Sequence, residues 1–347
     1  MKGLCNLLTE IIDMLKRVMY IPYYFKKLDR VKFNRFFTYV KKNYNYSGLR
    51  LWKDILVSAL KYNISLLDYF YFRFFELNKI QRKEYAGTGY MYEYQLVMNP
   101  KVHRDILENK ILFNTQYAQF IKHKFWEKTV VLLSKGKRDE ILSTQQKVIL
   151  KSSNGQCGEG IQLIDITGIN QTKFIELLNA TGNDLIEEYI EQHDNLMRLS
   201  PSGLNTVRIF TQLSKENEVV ILGARLRITN DSFVDNLAAG NIAAPIDLDT
   251  GKVYGKGVYS DITKEDVEKH PITGVSIVDF QIPYWKETLE MVTKAALLYP
   301  ENRSVGWDVA VTNTGPELLE GNHNWCKLLW QLPVKKGLKK ELENYII

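Results

Sequence analysis

The sequence predicts an α+β protein, a helical front followed by a body of antiparallel strands, and three stretches carry that prediction. Up to about residue 85, apolar residues return at helical spacing: Trp52, Ile55, Leu56, Ala59 and Leu60, then Leu66, Leu67, Phe70, Phe74 and Leu77. In residues 304–311, Val305, Trp307, Val309 and Val311 alternate with Gly306, Asp308 and Ala310, the period of a strand with one face on a core. Between these, residues 147–164 read as strand, glycine-rich loop, strand.

The front is also where the charge sits. The chain has 347 residues and a formal charge of +6, yet residues 1–50 alone carry +8, leaving the rest slightly acidic. A basic front on a near-neutral body argues against specific nucleic-acid binding by the main domain. The early apolar run of Leu7, Leu8, Ile11 and Ile12 is broken by Glu10, Asp13, Lys16 and Arg17, so neither a signal peptide nor a spanning helix is expected. Residues 19–44 interleave aromatic groups with Lys26, Lys27, Arg30, Lys32, Arg35, Lys41 and Lys42. That mixture suits packing on the body with a solvated basic side, or peripheral contact with an anionic membrane surface. Cys5, Cys157 and Cys326 match neither a disulfide framework nor a zinc spacing, so a reducing, cytoplasmic setting is expected.

Along the body, residues 85–90 read as a connection. Residues 110–120 and Phe125 with Trp126 continue a helical pattern, residues 130–133 look like a short strand, and residues 134–138 like a turn. The strand carrying Val148 and Leu150 then delivers Lys151 to a loop holding Gly155, Gly158 and Gly160. Glycines let backbone N–H groups approach phosphate and lysine adds a mobile positive charge, although a plain hairpin turn accounts for the same residues. The spacing fits neither a Walker loop nor a dinucleotide fingerprint. A helix over 172–178, a strand over 185–190, strands over 205–210, 219–228 and 252–259, and a helix over 285–298 follow. Arg225 and Arg227 share one strand face and suit either an oxyanion clamp or surface ion pairing.

In the last hairpin Asp308 points away from the core, and residues 313–316 supply the turn. On the returning strand Leu318, Glu320 and Asn322 share a face. Two carboxylates and an amide oxygen gathered there are hard ligands of the kind Mg2+ accepts beside substrate phosphates, or simply a polar hairpin surface.

Taken in order, Lys151 with its loop, residues 187–190 (Glu-Glu-Tyr-Ile) and the Asp308, Glu320, Asn322 set resemble the ATP-grasp superfamily, and within it the sugar-transfer-associated ATP-grasp family. The resemblance spans about residues 85–335. It implies two α+β lobes gripping ATP, with Mg2+ at the end of the cleft, behind the helical, aromatic-rich extension. The corresponding division is 1–85 for the helical region, 86–184 for the small lobe, 185–335 for the large lobe and 336–347 for a tail. Carried over by residue, Lys151 is similar to the lysine that touches the phosphates, and Gly155, Gly158 and Gly160 to the flexible phosphate cover. Glu187, Glu188, Tyr189 and Ile190 resemble the adenine hinge, with Glu191 and Asp194 both eligible to hold ribose. Arg208, Arg225 and Lys256 resemble the positive groups around the γ-phosphate, and Asp308, Glu320 and Asn322 the metal motif. Lys110, Lys124 and Lys135 compete for the second nucleotide lysine. The resemblance further implies a carboxylate–amine ligase acting on a sugar-linked or amino-acid-like substrate in surface-polysaccharide production, alongside polysaccharide-assembly enzymes. A sugar kinase and a noncatalytic partner of a glycosyltransferase are the alternatives.

Overall fold

The computed structural model describes residues 2–155 and 160–345, with side chains from residue 14 onward. Three helices, Lys2–Lys26, Arg30–Asn43 and Gly48–Tyr62, form the front. The second and third begin where the side chains of Asp29 and Ser47 accept the backbone N–H groups of Lys32 and Arg50, and the third ends on left-handed Asn63. Phe33, Phe36, Val40, Leu51, Ile55, Tyr69, Phe70 and Phe74 form their buried core, which is why the aromatic residues are so dense here. The periodic run through Leu77 is not one helix. It holds a short turn of helix, Asp68–Tyr71, and then reverses at Arg73, whose φ is 52°. The reversal is pinned by Arg82, which binds Asp54 through two bonds of 2.6 and 2.8 Å and the carbonyl of Phe74 at 2.6 Å.

The supposed connection at 85–90 instead opens the helix Thr88–Met98. A Cβ on Gly89 would fall 1.9 Å from the Asn63 side-chain oxygen, so glycine lets this helix lie directly on the end of the third one.

The smaller sheet contains β1 (Phe125–Glu127), β2 (Lys147–Lys151), β3 (Gln162–Asp165) and β4 (Leu185–Glu188), all antiparallel in the order β1-β4-β2-β3. Phe125 and Trp126 are therefore strand, not helix. Residues 130–133 are helical within Lys128–Leu133, and the 134–138 turn is the start of helix Lys135–Thr144, with Ser134 capping Lys137. For β1, tertiary pairing overrides local pattern: the strand exists because β4 lies beside it. Val148, Leu150 and Ile186 face a core completed by Trp126, Val131, Ile141, Phe174 and Leu178. Alternation turns Ile149, Lys151 and Glu187 to the opposite face.

The larger sheet contains β5 (Thr206–Leu213), β6 (Val219–Ile228), β7 (Ile242–Ile246), β8 (Ser304–Thr312) and β9 (Gly315–Asn322), in the order β7-β6-β5-β8-β9. The expected strand over 252–259 contributes only isolated bridges, Val253 to Ile246 and Val258 to Ala243. Helix Trp285–Leu298 covers one face, and Val305, Trp307, Val309 and Val311 point into that core. The pairing register shifts between Asp308 and Val309: Asp308 lies opposite Glu320 but Val309 opposite Leu318. The bulge at Leu319 sends Leu318 into the core, while Leu319, Glu320 and Asn322 face the cleft, so the shared face expected for Leu318 is not kept.

Packing and pairing also cross the expected divisions at three places. β4 belongs to the small sheet, which extends that lobe beyond residue 184. Met91, Tyr94 and Met98 pack with Phe210 and Trp330 of the larger unit, and Leu338 and Leu342 of the expected tail join the same core. Among the described residues no helix is long and apolar enough to cross a membrane.

Phe70 is fully buried and edge-on to Phe33 at 5.4 Å. Phe70→Ala is expected to cost about 3–5 kcal/mol, read as a lower urea midpoint.

Candidate active site

The two sheets face each other across a cleft of about 380 Å3. Lys110, Lys151 and Glu187 line it from the small-sheet side, and Arg208, Arg227, Asp235, Asp308, Glu320 and Asn322 from the large sheet. Register explains the second group. Arg225 on β6, Arg208 on β5, Asp308 on β8 and Glu320 on β9 stand opposite one another in a single row across the sheet.

The centre of that row is a buried ion cluster. Asp308 binds Arg208 through Nε and through Nη2 at 2.8 Å, and Arg227 through Nη1 at 2.9 Å. Arg227 also pairs with Asp235 at 2.6 Å, and Asp235 accepts from the backbone N–H and hydroxyl of Thr206. Burial alone would raise the Asp308 carboxyl, but the two guanidinium groups hold it well below the usual carboxylate range. Glu320 behaves oppositely: burial and the adjacent Asp308 charge push it up. No lysine or arginine among the described residues forms an ion pair with Glu320.

Asn322 donates to Glu320 at 3.1 Å and to the Gly306 carbonyl at 3.3 Å through Nδ2, leaving its side-chain oxygen for another partner. The set therefore fits a hard divalent cation: two carboxylates, one lacking its own counter-charge, plus an amide oxygen. Among the described residues no group of three His, Cys, Asp or Glu side chains is arranged to hold a metal, so in such a set the third ligand would be Asn322.

On the facing side Lys151 pairs with Glu187 at 2.5 Å. Glu187 also accepts from Asn114 at 3.0 Å, and it stays ionised despite burial because Lys151 and His123 hold its carboxyl low. Lys110 donates to the Gly155 carbonyl, and burial lowers its ammonium below the ordinary lysine value, with Glu320 opposing and Lys151 reinforcing. Of the three competing lysines, Lys110 is the one in the cleft. Gly155 lines the cleft, Gly160 accepts from Asn183 at 2.9 Å, and Gly158 lies outside the described residues. Glu188, Tyr189 and Ile190 line the cleft, with the Glu188 carboxylate tied to the Lys124 N–H.

Four expected residues are not brought here. Arg225 has the correct face, but its end of the row is covered by the chain around Trp330, whose carbonyl its Nε binds at 3.1 Å. Lys256 lies on the surface, paired with Glu268 at 2.9 Å. Glu191 is exposed outside the cleft. Asp194 is also exposed and binds the Asn313 amide at 3.0 Å, at the tip of the β8–β9 hairpin. Arg225 is thus removed from the cleft by distant chain, whereas Lys256, Glu191 and Asp194 remain at the surface.

His123, which stands in no motif of the sequence, bridges the sheets. Its Nδ1 lies 2.7 Å from Glu317 on β9, and its Nε2 lies 3.9 Å from Glu187 on β4. The backbone N–H groups of Lys122 and His123 also reach Glu317, each at 2.9 Å. No sequence spacing signals it, because Glu317 is 194 residues away. Burial lowers the His123 pKa, but Glu187 and Glu317 outweigh this and bring it to about 9. A folded value above the unfolded value means that the stabilisation is complete below about pH 6.5 and is lost as pH rises towards 9. Urea unfolding from pH 6 to 9.5 is therefore expected to show a fall in stability that His123→Gln lacks.

Solved structures with similar folds include N5-carboxyaminoimidazole ribonucleotide synthetase from Thermotoga maritima (12% identity, TM-score 0.37, covering 64% of this chain and 43% of that one). A biotin carboxylase–βγ-ATP complex from Campylobacter jejuni gives 12%, 0.44, 72% and 49% for the same quantities. D-alanine–D-alanine ligase from Helicobacter pylori gives 13%, 0.40, 72% and 60%. The chain thus spans between 43% and 60% of the lengths of these proteins. No curated protein matches it. The family described as sugar-transfer-associated ATP-grasp matches residues 83–346, about three quarters of the sequence, and the chain belongs to that family.

Proposed function

We propose that the protein is an ATP-dependent carboxylate–amine ligase acting on a sugar-linked or amino-acid-like substrate in cell-surface polysaccharide production. The observation that supports it most is the convergence of Lys110 and Lys151 from one side, and Arg208, Arg227, Asp308 and Glu320 from the other, on one cleft. The family to which the chain belongs supports the link with sugar transfer.

In this reading Lys110 and Lys151 hold the phosphates, while residues 188–190 border the base. Asp308, Glu320 and Asn322 would hold Mg2+, which would supply charge neutralisation for the phosphates. Arg208 and Arg227 are fixed by Asp308 before substrate arrives, so their positive charge needs little reorganisation as the phosphoryl group moves. A substrate carboxylate oxygen bonds to the γ-phosphorus as the bond to ADP breaks. An amine then attacks the acyl carbon, phosphate leaves, and the amine proton passes to solvent or phosphate. ATP, carboxylate and amine become ADP, phosphate and amide.

The test is incubation with Mg2+-ATP, sugar acids and amines, followed by mass detection of nucleotide and acceptor products. Amine-dependent ADP, phosphate and a condensed product are expected. A stably phosphorylated acceptor without amine identifies a kinase instead, and no turnover a noncatalytic binder. Lys151→Ala is expected to lower turnover by about 100-fold or more, whereas Lys256→Ala, on the surface, leaves it unchanged.

A peripheral membrane role for the basic front belongs to the same proposal. The first helix exposes Met14, Leu15, Val18 and Met19 beside Lys16 and Arg17. That combination suits an anionic bilayer surface at the cytoplasmic face. Sedimentation with anionic liposomes at low salt is expected to carry down the protein, and Met19→Glu to leave it in the supernatant.

A further inference from the structure

A second, larger cavity of about 640 Å3 lies between the first helix, the helix Thr88–Met98 and the chain after β9. Its size falls within the range of about 300–1,000 Å3 usual for small-ligand sites. Asn324 and Cys326 line both this cavity and the cleft, so the two adjoin just beyond Asn322. We propose that this cavity is the acceptor subsite and takes an uncharged glycosyl unit, which makes the first helix part of the substrate-binding machinery. The proposal rests on the reading that the cleft activates an acceptor with ATP.

The lining selects the ligand class. Tyr20, Tyr23, Tyr24 and Tyr92 contribute to the walls with Trp325. Tyr20 is edge-on to Tyr92, with ring centroids 6.4 Å apart, and lies 6.2 Å from Tyr24. Such rings offer π faces to the weakly polarised C–H face of a sugar ring and hydroxyls at their edges. The charged groups nearby already have partners. Lys327 pairs with buried Asp68 at 3.1 Å, whose other oxygen accepts from the Ser65 and Thr88 N–H groups and the Thr88 hydroxyl. Glu93 accepts from the Tyr20 hydroxyl at 3.0 Å and from Asn63 at 3.4 Å. Among the described residues, a charged ligand would find no unpaired counter-charge here.

Tyr24 separates a sugar from a fatty chain. The residue is 6% exposed, lines the cavity, and its hydroxyl has no hydrogen-bond partner. Burial and the nearby Asp68 keep it protonated, so it remains an unpaired donor at the cavity wall. A hydrocarbon would leave it unsatisfied, whereas a sugar hydroxyl satisfies it.

The test needs no turnover. Saturation-transfer NMR is run on the full chain without nucleotide, against the methyl glycosides of glucose, galactose, N-acetylglucosamine and rhamnose, and against decanol. At least one glycoside is expected to take up saturation, with its affinity falling about fivefold or more in Tyr24→Phe and in Tyr92→Ala. Lys151→Ala is expected to lose ATP binding yet keep the glycoside signal. Absence of signal from all four glycosides, equal signals in the two tyrosine variants, or binding of decanol alone overturns the assignment. Failure of the wild-type protein to bind ATP while a glycoside binds would instead remove the ligase reading and leave this subsite standing.

Discussion

The arrangement of the cleft depends on one constraint: Asp308 and the guanidinium groups of Arg208 and Arg227 are buried together on the face of the larger sheet. Isolated charges removed from water are expensive, and removing one partner leaves the others uncompensated. The cost is offset because β-sheet register brings the charges into contact without searching side-chain space. Arg208 and Asp308 are direct cross-strand neighbours, and Arg227 sits one step along the adjoining strand. The same register places Glu320 beyond Asp308 at the end of the row, where among the described residues no lysine or arginine pairs with it directly. The row thus ends in a negative group with raised proton affinity, facing the cleft.

A second buried cluster controls how the sheets meet. Lys151 and Glu187 belong to the small sheet, Glu317 to the large one, and His123 stands between them. Because Glu317 also takes two backbone N–H groups from the chain entering β1, the small sheet is hinged to β9 by charge-assisted bonds. The strand that presents Glu320 to the cleft therefore also anchors the opposite wall. Titration at His123 and the position of Lys151 are parts of one network.

The helical front is joined to the body by both packing and charge. Ile262 belongs to its aromatic core, Leu328 and Leu332 pack against it, and Arg35 pairs with Asp261 at 3.0 Å. Leu328 follows directly on the segment shared by the cleft and the aromatic cavity. The aromatic richness of the front serves its own core on one side and that cavity on the other.

The sequence by itself determined what is local. The alternation of residues 304–311 dictated a strand with Asp308 turned from the core, the turn residues at 313–316 dictated its return, and apolar periodicity delimited helix Trp285–Leu298. The order of Lys151, Glu187 and the Asp308–Asn322 set was enough to identify the fold and collect much of the cleft. Tertiary structure decided what lies across from each residue. It covered Arg225 with the chain at Trp330, carried Lys256 to the surface, made Phe125 and Trp126 a strand by pairing them with β4, and turned Leu318 inward through a bulge. It also raised His123 from an isolated histidine to the bridge between the sheets. The physical reason is the same in each case: face and period are properties of neighbouring residues, whereas burial and charge pairing depend on distant chain, which at His123 arrives from 194 residues away.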